Sequence, residues 1–262
     1  MSRGTGRSSA TAASKPSPDG APSMKVAEGV ATVRFERPRE GNRIDPDDIP
    51  VLRAHVERAA VDASVRAVVF TGAGTRSFSS GFTIEAILGR LDRSFEELLD
   101  AIERLPMPTI AAINGGVYGG ATDLALCCDI RIGVKETRMF MPATRFGLHY
   151  YPGGLRRYVA AMGPAQAKRL FLTGRTIYAE EMLRIGFLTD CVPRSRLART
   201  VTECLAAITA GEPTVQRTMK RQIDAIAAGQ TGEAASRAAY EASLASPELR
   251  RRLTALAARR RR

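Results

Sequence analysis

The feature that most constrains the fold is a pair of glycine-rich turns, each lying between an apolar run and a helical run. The first turn spans residues 72–81 and follows the run VRAVVFT. The second spans residues 114–120 and follows the run TIAAI. Short runs that are almost entirely apolar are typical of parallel strands buried on both faces. Strands that alternate with helices predict an α/β fold around a mainly parallel sheet.

The hydrophobic pattern predicts further elements around these turns. Val30–Phe35 alternates and is rich in β-branched residues, which indicates a strand, and Asp129–Gly133 indicates another. Helical spacing predicts a helix over Asp48–Val61, with Asp48 as its cap. Two more helices are predicted before Gly153, near Phe95–Leu105 and over residues 121–128.

Beyond Gly153 the pattern is mainly helical. One short strand, Phe187–Val192, interrupts the helices. The predicted helices are Leu155–Met162, Ala165–Leu172, Ala179–Ile185, Leu197–Thr209, Val215–Ala228 and Glu233–Leu244. We therefore expect an α/β core over residues 25–195 and a helical C-terminal region over residues 196–262, which ends in an arginine-rich segment.

The net charge of +12 lies mainly at the two ends of the chain. Residues 1–24 carry three basic side chains against one acidic, and residues 246–262 carry seven arginines against one glutamate, so the ends account for +8. The rest of the chain, between the two ends, has only a small positive net charge, which would attract a small polyanion such as a molecule that carries a nucleotide. Residues 1–24 are rich in Ser, Gly, Pro and Ala, so we interpret them as a disordered basic tail, with a transit peptide as the alternative.

Cysteine and histidine usage excludes several classes of protein. The four cysteines form no CxxC pair, and the two histidines are too few for a histidine-based metal site, so no metal is expected. We interpret the cysteines as buried thiols in a reducing compartment. No uninterrupted apolar stretch approaches the roughly 18 residues of a membrane-spanning helix. The chain is therefore expected to be cytoplasmic and to have no membrane partner.

The glycines of the two turns indicate a chemistry as well as a fold. Glycine allows the backbone to approach a ligand closely, and a helix start leaves N–H groups unpaired. Two such turns side by side can direct two amides at one oxygen atom, which is the arrangement of an oxyanion hole. Ordinary strand-to-helix turns use the same glycines, so the residues alone leave both interpretations open.

Three motifs together resemble a known family. They are RAVVFTGAG followed by FSSGF, then PTIAAINGGVYGGATDLALCCDIRIG, and then LTGRTIYAEEMLRIGFLTDCV. Their order and spacing are similar to those of the enoyl-CoA hydratase/isomerase (crotonase) superfamily, and the resemblance extends roughly from Val30 to Val192. It implies a core of ββα units arranged in a superhelix, a helical C-terminal subdomain that takes part in trimerisation or forms a lid, and a homotrimer or dimer of trimers.

The resemblance also implies what the chain acts on. Family members process acyl-CoA thioesters, so coenzyme A would arrive as part of the substrate and no separate cofactor is expected. They stabilise an enolate thioester anion with two backbone amides, which by position fall at Phe82 and Gly120. Preorganised donors of this kind strongly stabilise an oxygen that gains negative charge. We therefore expect a lyase or isomerase of fatty acid metabolism.

The residues for proton transfer depart from the family pattern. Hydratases of the family use two glutamates that hold and activate one water. The first of these positions holds Asp123, and the second, in the step Met141-Pro142-Ala143, holds an alanine. Asp123 is either the remaining catalytic carboxylate or a first-turn acid that complements the dipole of its helix. The loss of the second carboxylate leaves the choice between hydration and isomerisation open.

The segment Gly147–Tyr151 offers replacements. His149 can act as an acid or a base near neutral pH, and Tyr150 can donate a hydrogen bond to a substrate carboxylate or an enolate. A tyrosine here, together with the run Tyr118–Ala121, is also similar to the methylmalonyl-CoA decarboxylase branch, so decarboxylation is the first alternative function. For both side chains the alternative role is packing beneath the site or at a trimer contact.

We expect the coenzyme A moiety to lie against Arg39, Arg43 and Ser80. The segment from Arg37 to Asn42 is similar to the turn that lines the coenzyme A groove in the family, so the two arginines would meet phosphates. A solvated charged loop is the other interpretation. A non-catalytic homologue that binds coenzyme A or RNA is the second alternative function. Nucleic-acid binding is not favoured, because no basic patch interleaved with aromatic residues is present.

Overall fold

The structure is a computed structural model that describes residues 20–230 and 232–260. The described strands are β1 (Ser23–Ala27), β2 (Val30–Phe35), β3 (Ala67–Gly72), β4 (Ser77–Ser79), β5 (Thr109–Ile113), β6 (Gly116–Tyr118), β7 (Ile130–Val134), β8 (Arg138–Phe140), β9 (Ile177–Tyr178) and β10 (Asp190–Val192). They form a six-stranded sheet in the order β1-β2-β3-β5-β7-β10 and a four-stranded sheet in the order β4-β6-β8-β9. In the larger sheet, only the β1–β2 pair is antiparallel.

The helices pack around and after these sheets. They are α1 (Asp48–Val61), α2 (Ile87–Arg90), α3 (Arg93–Glu103), α4 (Gly120–Leu126), α5 (Pro152–Thr173), α6 (Ala179–Arg184), α7 (Leu197–Ala210), α8 (Pro213–Ala227), α9 (Glu233–Leu244) and α10 (Pro247–Arg260). Three consecutive units run strand, strand, helix, namely β3-β4-α3, β5-β6-α4 and β7-β8-α5. Each unit places its first strand in the larger sheet and its second strand in the smaller one. The predicted ββα core with a helical C-terminal subdomain is therefore confirmed.

The central parallel strands are buried on both faces, as their apolar runs predict. Phe70 of β3 and Ala111 of β5 belong to the main core. Their neighbours Val69 and Ile110 belong to a second apolar cluster on the opposite face of the sheet. The residues of α7 that close this second cluster are Leu197, Val201 and Ile208. Both clusters depend on the alternation of side chains along each strand.

Several short elements differ from the sequence prediction. Periodicity does not predict the smaller sheet, because its strands have only two or three residues and cannot show an alternating pattern. The two helices predicted over residues 155–172 are, by contrast, both present, because the range given as α5 is broken at Gly163, where φ is +74° and the backbone is not helical, just before Pro164. The strand predicted over Phe187–Val192 is confined to its last three residues.

Two expectations for the N-terminal part of the chain are also wrong. Asp48 does not cap α1, because the capping position is Asp47 and its side chain makes no capping bond. Asp48 is instead buried and pairs with Arg37 at 2.5 and 3.1 Å, since a buried carboxylate needs a charged partner. Residues 23–24, assigned to the disordered tail, pair with β2 as part of β1. Residues 1–19 of that tail lie outside the described residues.

The C-terminal region is helical, as predicted, and it continues through α10 into the arginine-rich segment. Helix α8 leaves a row of apolar side chains exposed. Met219, Ile223 and Ile226 on this row are 58%, 63% and 67% exposed. They follow a helical spacing of three to four residues, so they lie on one face of α8.

Replacing Ile110 by alanine should lower the free energy of unfolding by about 2–5 kcal/mol. The reason is that Ile110 is fully buried in the cluster that α7 closes. Leu172→Ala removes a side chain that is 73% exposed, and its effect should stay within about 0.5 kcal/mol. Urea unfolding followed by circular dichroism measures both variants. Equal losses of unfolding free energy in the two variants would contradict the packing of α7 against the sheet.

Candidate active site

A cavity of about 140 Å³ lies where the two glycine-rich turns meet. The first turn contributes Ser80 and Phe82 to its wall, and the second contributes Tyr118, Gly119 and Gly120. Most of the remaining wall is apolar or aromatic and comes from α2, α3 and the segment after β8. A dry cavity of roughly 150 Å³ holds a benzene-sized group. The space therefore fits a short chain or a single ring.

The backbone amides of Phe82 and Gly120 lie close together at this wall. A Cβ atom built on Gly120 would lie 3.8 Å from the Phe82 nitrogen, and one built on Gly81 would lie 2.9 Å from the Gly120 nitrogen. Within residues 20–230 and 232–260, neither amide donates a hydrogen bond to a protein acceptor. Both amides are therefore free to bind a ligand oxygen.

Gly81 makes this close approach feasible. Its φ of +86° is a conformation that side chains with a Cβ rarely adopt. A Cβ atom at this position would also lie 2.5 Å from the carbonyl oxygen of Tyr118. Any larger residue would push the two turns apart and separate the amides of Phe82 and Gly120.

Asp123 lies behind the cavity wall and is not part of it. Its side chain has no exposed surface. Arg157 binds both carboxylate oxygens, with Nε 2.8 Å from Oδ1 and Nη2 3.1 Å from Oδ2. The hydroxyl of Tyr151 also donates to Oδ2. A substrate in the cavity meets Tyr151 before it meets the Asp123 carboxylate.

Arg157 joins three helices around the cavity. It lies on α5 and binds Asp123 of α4, and its Nη1 atom also reaches Asp100 at 3.0 Å and Glu103 at 2.9 Å, both on α3. Its side chain is only 2% exposed. The other basic partners of the α3 carboxylates are Arg104 and Arg156. The buried pair of Arg157 and Asp123 is thus charge-balanced, as charges removed from water require, whereas Arg104 and Arg156 remain accessible to solvent.

Tyr150 and Tyr151 form a stacked pair in the wall. Their ring centroids lie 4.4 Å apart with planes inclined by 29°, and their hydroxyl oxygens are separated by 3.3 Å. Burial, together with the negative charge of Asp123, raises the pKa of both phenols well above the usual value. Both therefore stay protonated near neutral pH and act as hydrogen-bond donors rather than bases.

His149 and Ala143 complete the part of the wall on which proton transfer depends. His149 lies exposed at the rim, whereas Ala143 is buried in the position where hydratases of the family carry their second glutamate. In the part of the chain that the structure describes, no Asp or Glu side chain lines the cavity. Histidine is the side-chain type that exchanges a proton near neutral pH. Among the described residues that line the cavity, His149 is the one histidine.

The three residues predicted to meet coenzyme A lie at or near the rim. Ser80 lines the cavity, and its amide donates to the Gly41 carbonyl at 2.8 Å, which holds the turn containing Arg39 against the rim. Arg43 is half-buried, and its Nε lies 2.9 Å from Asp45. Arg39 is exposed and forms no salt bridge within the described residues. Of the two arginines, Arg39 is thus the one free to bind an anion.

A larger depression of about 550 Å³ lies between α5 and α8. It shares none of its lining residues with the smaller cavity. None of the residues predicted for the site lines it, and neither glycine-rich turn reaches it. The chemistry expected from the sequence therefore belongs to the smaller cavity.

The sequence matches the profile of the enoyl-CoA hydratase/isomerase family over residues 25–249. The chain belongs to the enoyl-CoA hydratase/isomerase family. The short-chain-enoyl-CoA hydratase of Clostridium acetobutylicum is 32% identical over 202 residues, which cover 74% of this chain and 77% of the relative. The crotonyl-CoA hydratase of Syntrophomonas wolfei is 29% identical over 195 residues, which cover 71% and 74%. The crystal structure of an enoyl-CoA hydratase from Bacillus anthracis matches with a TM-score of 0.81 and 27% identity, covering 91% of this chain and 96% of that one.

Membership of the enoyl-CoA hydratase/isomerase family confirms the resemblance seen in the three sequence motifs. The chain is an acyl-CoA thioester-processing enzyme of the lyase or isomerase class. None of the described helices is long and apolar enough to cross a membrane. Among the described residues, no group of three or more His, Cys, Asp or Glu side chains is arranged to hold a metal ion.

Sequence reasoning did not single out Tyr151 or Arg157. Both contact Asp123, across 28 and 34 residues of sequence respectively. No local pattern reports contacts over such separations, and an arginine in a helical run is ordinarily interpreted as solvent-facing. The place of Phe95 in the cavity wall was also missed, because its helical spacing marks it only as a core position. Its edge-to-face contact with Phe82, with ring centroids 5.5 Å apart, depends on the tertiary fold.

Replacing Arg157 by methionine should lower the free energy of unfolding by about 3–5 kcal/mol. Methionine keeps much of the apolar stem, but it leaves the buried Asp123 carboxylate without its cation. Arg53→Met makes the same change at an exposed pair with Glu57 and should leave stability nearly unchanged. Chemical denaturation of both variants measures the difference. A loss no larger at Arg157 than at Arg53 would contradict the role of the buried cluster.

Raising the pH should unfold the protein through its buried tyrosines. Burial raises the pKa of Tyr150, Tyr151 and Tyr158, whereas a tyrosine of the unfolded chain ionises near pH ~10. The folded state therefore holds these protons more tightly, and stability falls as pH rises above about 10. Ultraviolet absorbance should show the phenolates of these tyrosines appearing only as the circular dichroism signal is lost. In Tyr158→Phe, the rise in phenolate absorbance that accompanies unfolding should be smaller. Their ionisation in the folded protein would contradict the burial.

Proposed function

We propose that the chain forms the enolate of a short acyl-CoA thioester and holds its oxygen with the amides of Phe82 and Gly120. The observation that carries this proposal is the pair of unpaired amides at the wall of one cavity. Negative charge develops on the thioester oxygen as the enolate forms, and one preorganised donor is worth about 3–4 kcal/mol. The apolar wall excludes water and so strengthens these hydrogen bonds.

The acyl group is proposed to occupy the cavity of about 140 Å³. Its apolar and aromatic wall suits a hydrocarbon chain, and its size favours a short one. The relative from Clostridium acetobutylicum is named for short-chain substrates, which agrees with this assignment. Ser80 and Arg39 are proposed to bind the coenzyme A moiety at the rim. Arg43 contributes less, because its guanidinium is engaged by Asp45.

The proton steps are proposed to rest on His149 and Tyr150. His149 would exchange the proton with solvent, and Tyr150 would donate a hydrogen bond to the reacting acyl group. Asp123 is not proposed to touch the substrate, because Arg157 and Tyr151 occupy its two oxygens. Hydration or isomerisation by this chain would therefore depend on a histidine instead of a pair of carboxylates.

Decarboxylation of a methylmalonyl-CoA-type substrate is the second candidate. It is favoured by the absence of Asp and Glu from the cavity wall within the described residues. Loss of CO₂ leaves an enolate without needing a base, so the oxyanion hole and a hydrogen-bond donor suffice. An additional carboxylate in the wall would repel the carboxylate of the substrate.

The assembly as a homotrimer or dimer of trimers is proposed as well. The exposed apolar row on α8, with Met219, Ile223 and Ile226, supports burial of this face in an assembly. The need for no cofactor beyond the coenzyme A of the substrate stays a prediction, as does the cytoplasmic location.

Incubation with crotonyl-, 3-enoyl-, acetoacetyl- and methylmalonyl-CoA in D₂O tests the proposal. Mass spectrometry should find deuterium at the α-carbon of at least one thioester, because an enolate is protonated from the solvent. Loss of CO₂ from methylmalonyl-CoA would select the second candidate. Isotope-edited infrared spectroscopy of a bound, carbonyl-labelled thioester should show its C=O stretch at lower frequency, because two donors polarise the bond.

Gly81→Ala should weaken both signals, since it forces apart the turns that carry the two amides. Gly229→Ala is the matched control, because Gly229 also has a positive φ but a Cβ there would meet no atom within 4 Å. Circular dichroism verifies that both variants fold. Absence of α-deuterium and of any carbonyl shift for every thioester would contradict the proposed function.

A further inference from the structure

The hydrogen bonds behind Tyr150 form a chain with a defined direction. Asp123 is engaged by Arg157 at both oxygens, so it acts as the acceptor in its contact with Tyr151. The single hydroxyl proton of Tyr151 is thus committed to Asp123. In its contact with Tyr150, the Tyr151 oxygen can therefore only accept a hydrogen bond.

This direction determines what Tyr150 can do. The Tyr150 hydroxyl donates to the Tyr151 oxygen over 3.3 Å. That distance exceeds the usual 2.5–3.0 Å range of O–H···O hydrogen bonds, so the bond is weak. Tyr150 lines the cavity and can therefore exchange this weak bond for a stronger one to an oxygen of the ligand.

The position of Tyr150 is also fixed by its surroundings. Its ring stacks on Tyr151 and lies 5.2 Å from the ring of Phe171. Gly154, at the start of α5, leaves the space that the Tyr150 ring occupies, because a Cβ atom there would collide with the ring. The ring cannot follow the ligand freely, so its hydroxyl reaches one limited region of the cavity.

We propose that Tyr151 is a positioning residue: its hydroxyl anchors it to the Asp123–Arg157 ion pair, and its ring, stacked on that of Tyr150, holds the Tyr150 hydroxyl in place. Tyr150 gives its hydrogen bond to an oxygen of the bound acyl group or of its enolate. Asp123 therefore acts on the reaction through two tyrosines and not by direct contact. This inference rests on the proposed function, since it assumes that a thioester occupies the cavity.

A double-mutant cycle on Tyr150→Phe and Tyr151→Phe tests the inference. The reaction followed is α-deuteration in D₂O of the thioester that the wild-type chain turns over fastest. Tyr151→Phe should lower kcat by about tenfold, a part of the 10²-fold or greater effect expected for a lost hydrogen-bond donor to the developing oxyanion, while KM changes less than about twofold because the binding contacts remain. In the Tyr150→Phe background, Tyr151→Phe should have no further effect, since Tyr151 acts on the reaction only by positioning the Tyr150 hydroxyl.

Tyr158→Phe is the matched control. It removes a fully buried hydroxyl, which bonds to Thr122 and lies outside the cavity wall, so kcat should stay close to the wild-type value. A Tyr151→Phe variant with the kinetics of Tyr158→Phe would overturn the inference. So would the same loss of kcat with and without the Tyr150 hydroxyl, which would indicate a general effect on packing.

A measurement on the wild-type protein gives an independent readout. With tyrosines labelled at Cζ, binding of butyryl-CoA should shift the Tyr150 resonance, whereas Tyr151, bound to Asp123, should hardly move. A larger shift at Tyr151 than at Tyr150 would overturn the inference. Failure of the proposed function is recognised separately, because the wild-type chain would then deuterate none of the thioesters, and both proposals would fall.

Discussion

The site depends on one buried guanidinium group. Arg157 of α5 binds Asp123 of α4 together with Asp100 and Glu103 of α3, and its side chain is almost completely removed from solvent. A charge in this environment is tolerated only when it is paired and hydrogen-bonded. The ion cluster therefore fixes the relative positions of three helices, of which α3 and α4 contribute residues to the cavity wall and α5 begins directly after it. Helix α3 carries Phe95, α4 begins at Gly120, and α5 follows directly on the two tyrosines.

The same cluster changes the proton chemistry of the site. A carboxylate held by a guanidinium and a phenol is positioned to support its neighbours rather than to accept a proton from a substrate. The neighbouring wall contributes hydroxyl groups whose pKa values are raised by burial and by Asp123, so these hydroxyls keep their protons near neutral pH and act as hydrogen-bond donors. The two backbone amides are unaffected by these changes, since their positions depend on Gly81 and on the approach of the two turns. The pair of free amides and the network of tyrosines around Asp123 thus belong to separate parts of the fold.

The sequence predicts most of the long elements and few of the short ones. Helix α1 and strands β2 and β5 have the predicted bounds because each is long or apolar enough to show a clear pattern. The strands of the smaller sheet are too short to do so, although β4 and β6 carry the chain into the two turns. The role of Asp48 was assigned from its position near a helix start, whereas its partner Arg37 lies on a separate turn. Local capping rules cannot anticipate such a partner.

The sequence pattern by itself determined the α/β core with its buried parallel strands, the two glycine-rich turns and the lack of a carboxylate at Ala143, whereas the ββα arrangement was implied by the family resemblance. These follow from residue types at fixed spacings, and glycine and apolar runs restrict the backbone wherever they occur. Only the tertiary structure decided that Asp123 faces Arg157 and Tyr151 instead of the cavity. Such contacts join residues of different helices, and their strength depends on the exclusion of water from the space between them, which no local pattern records.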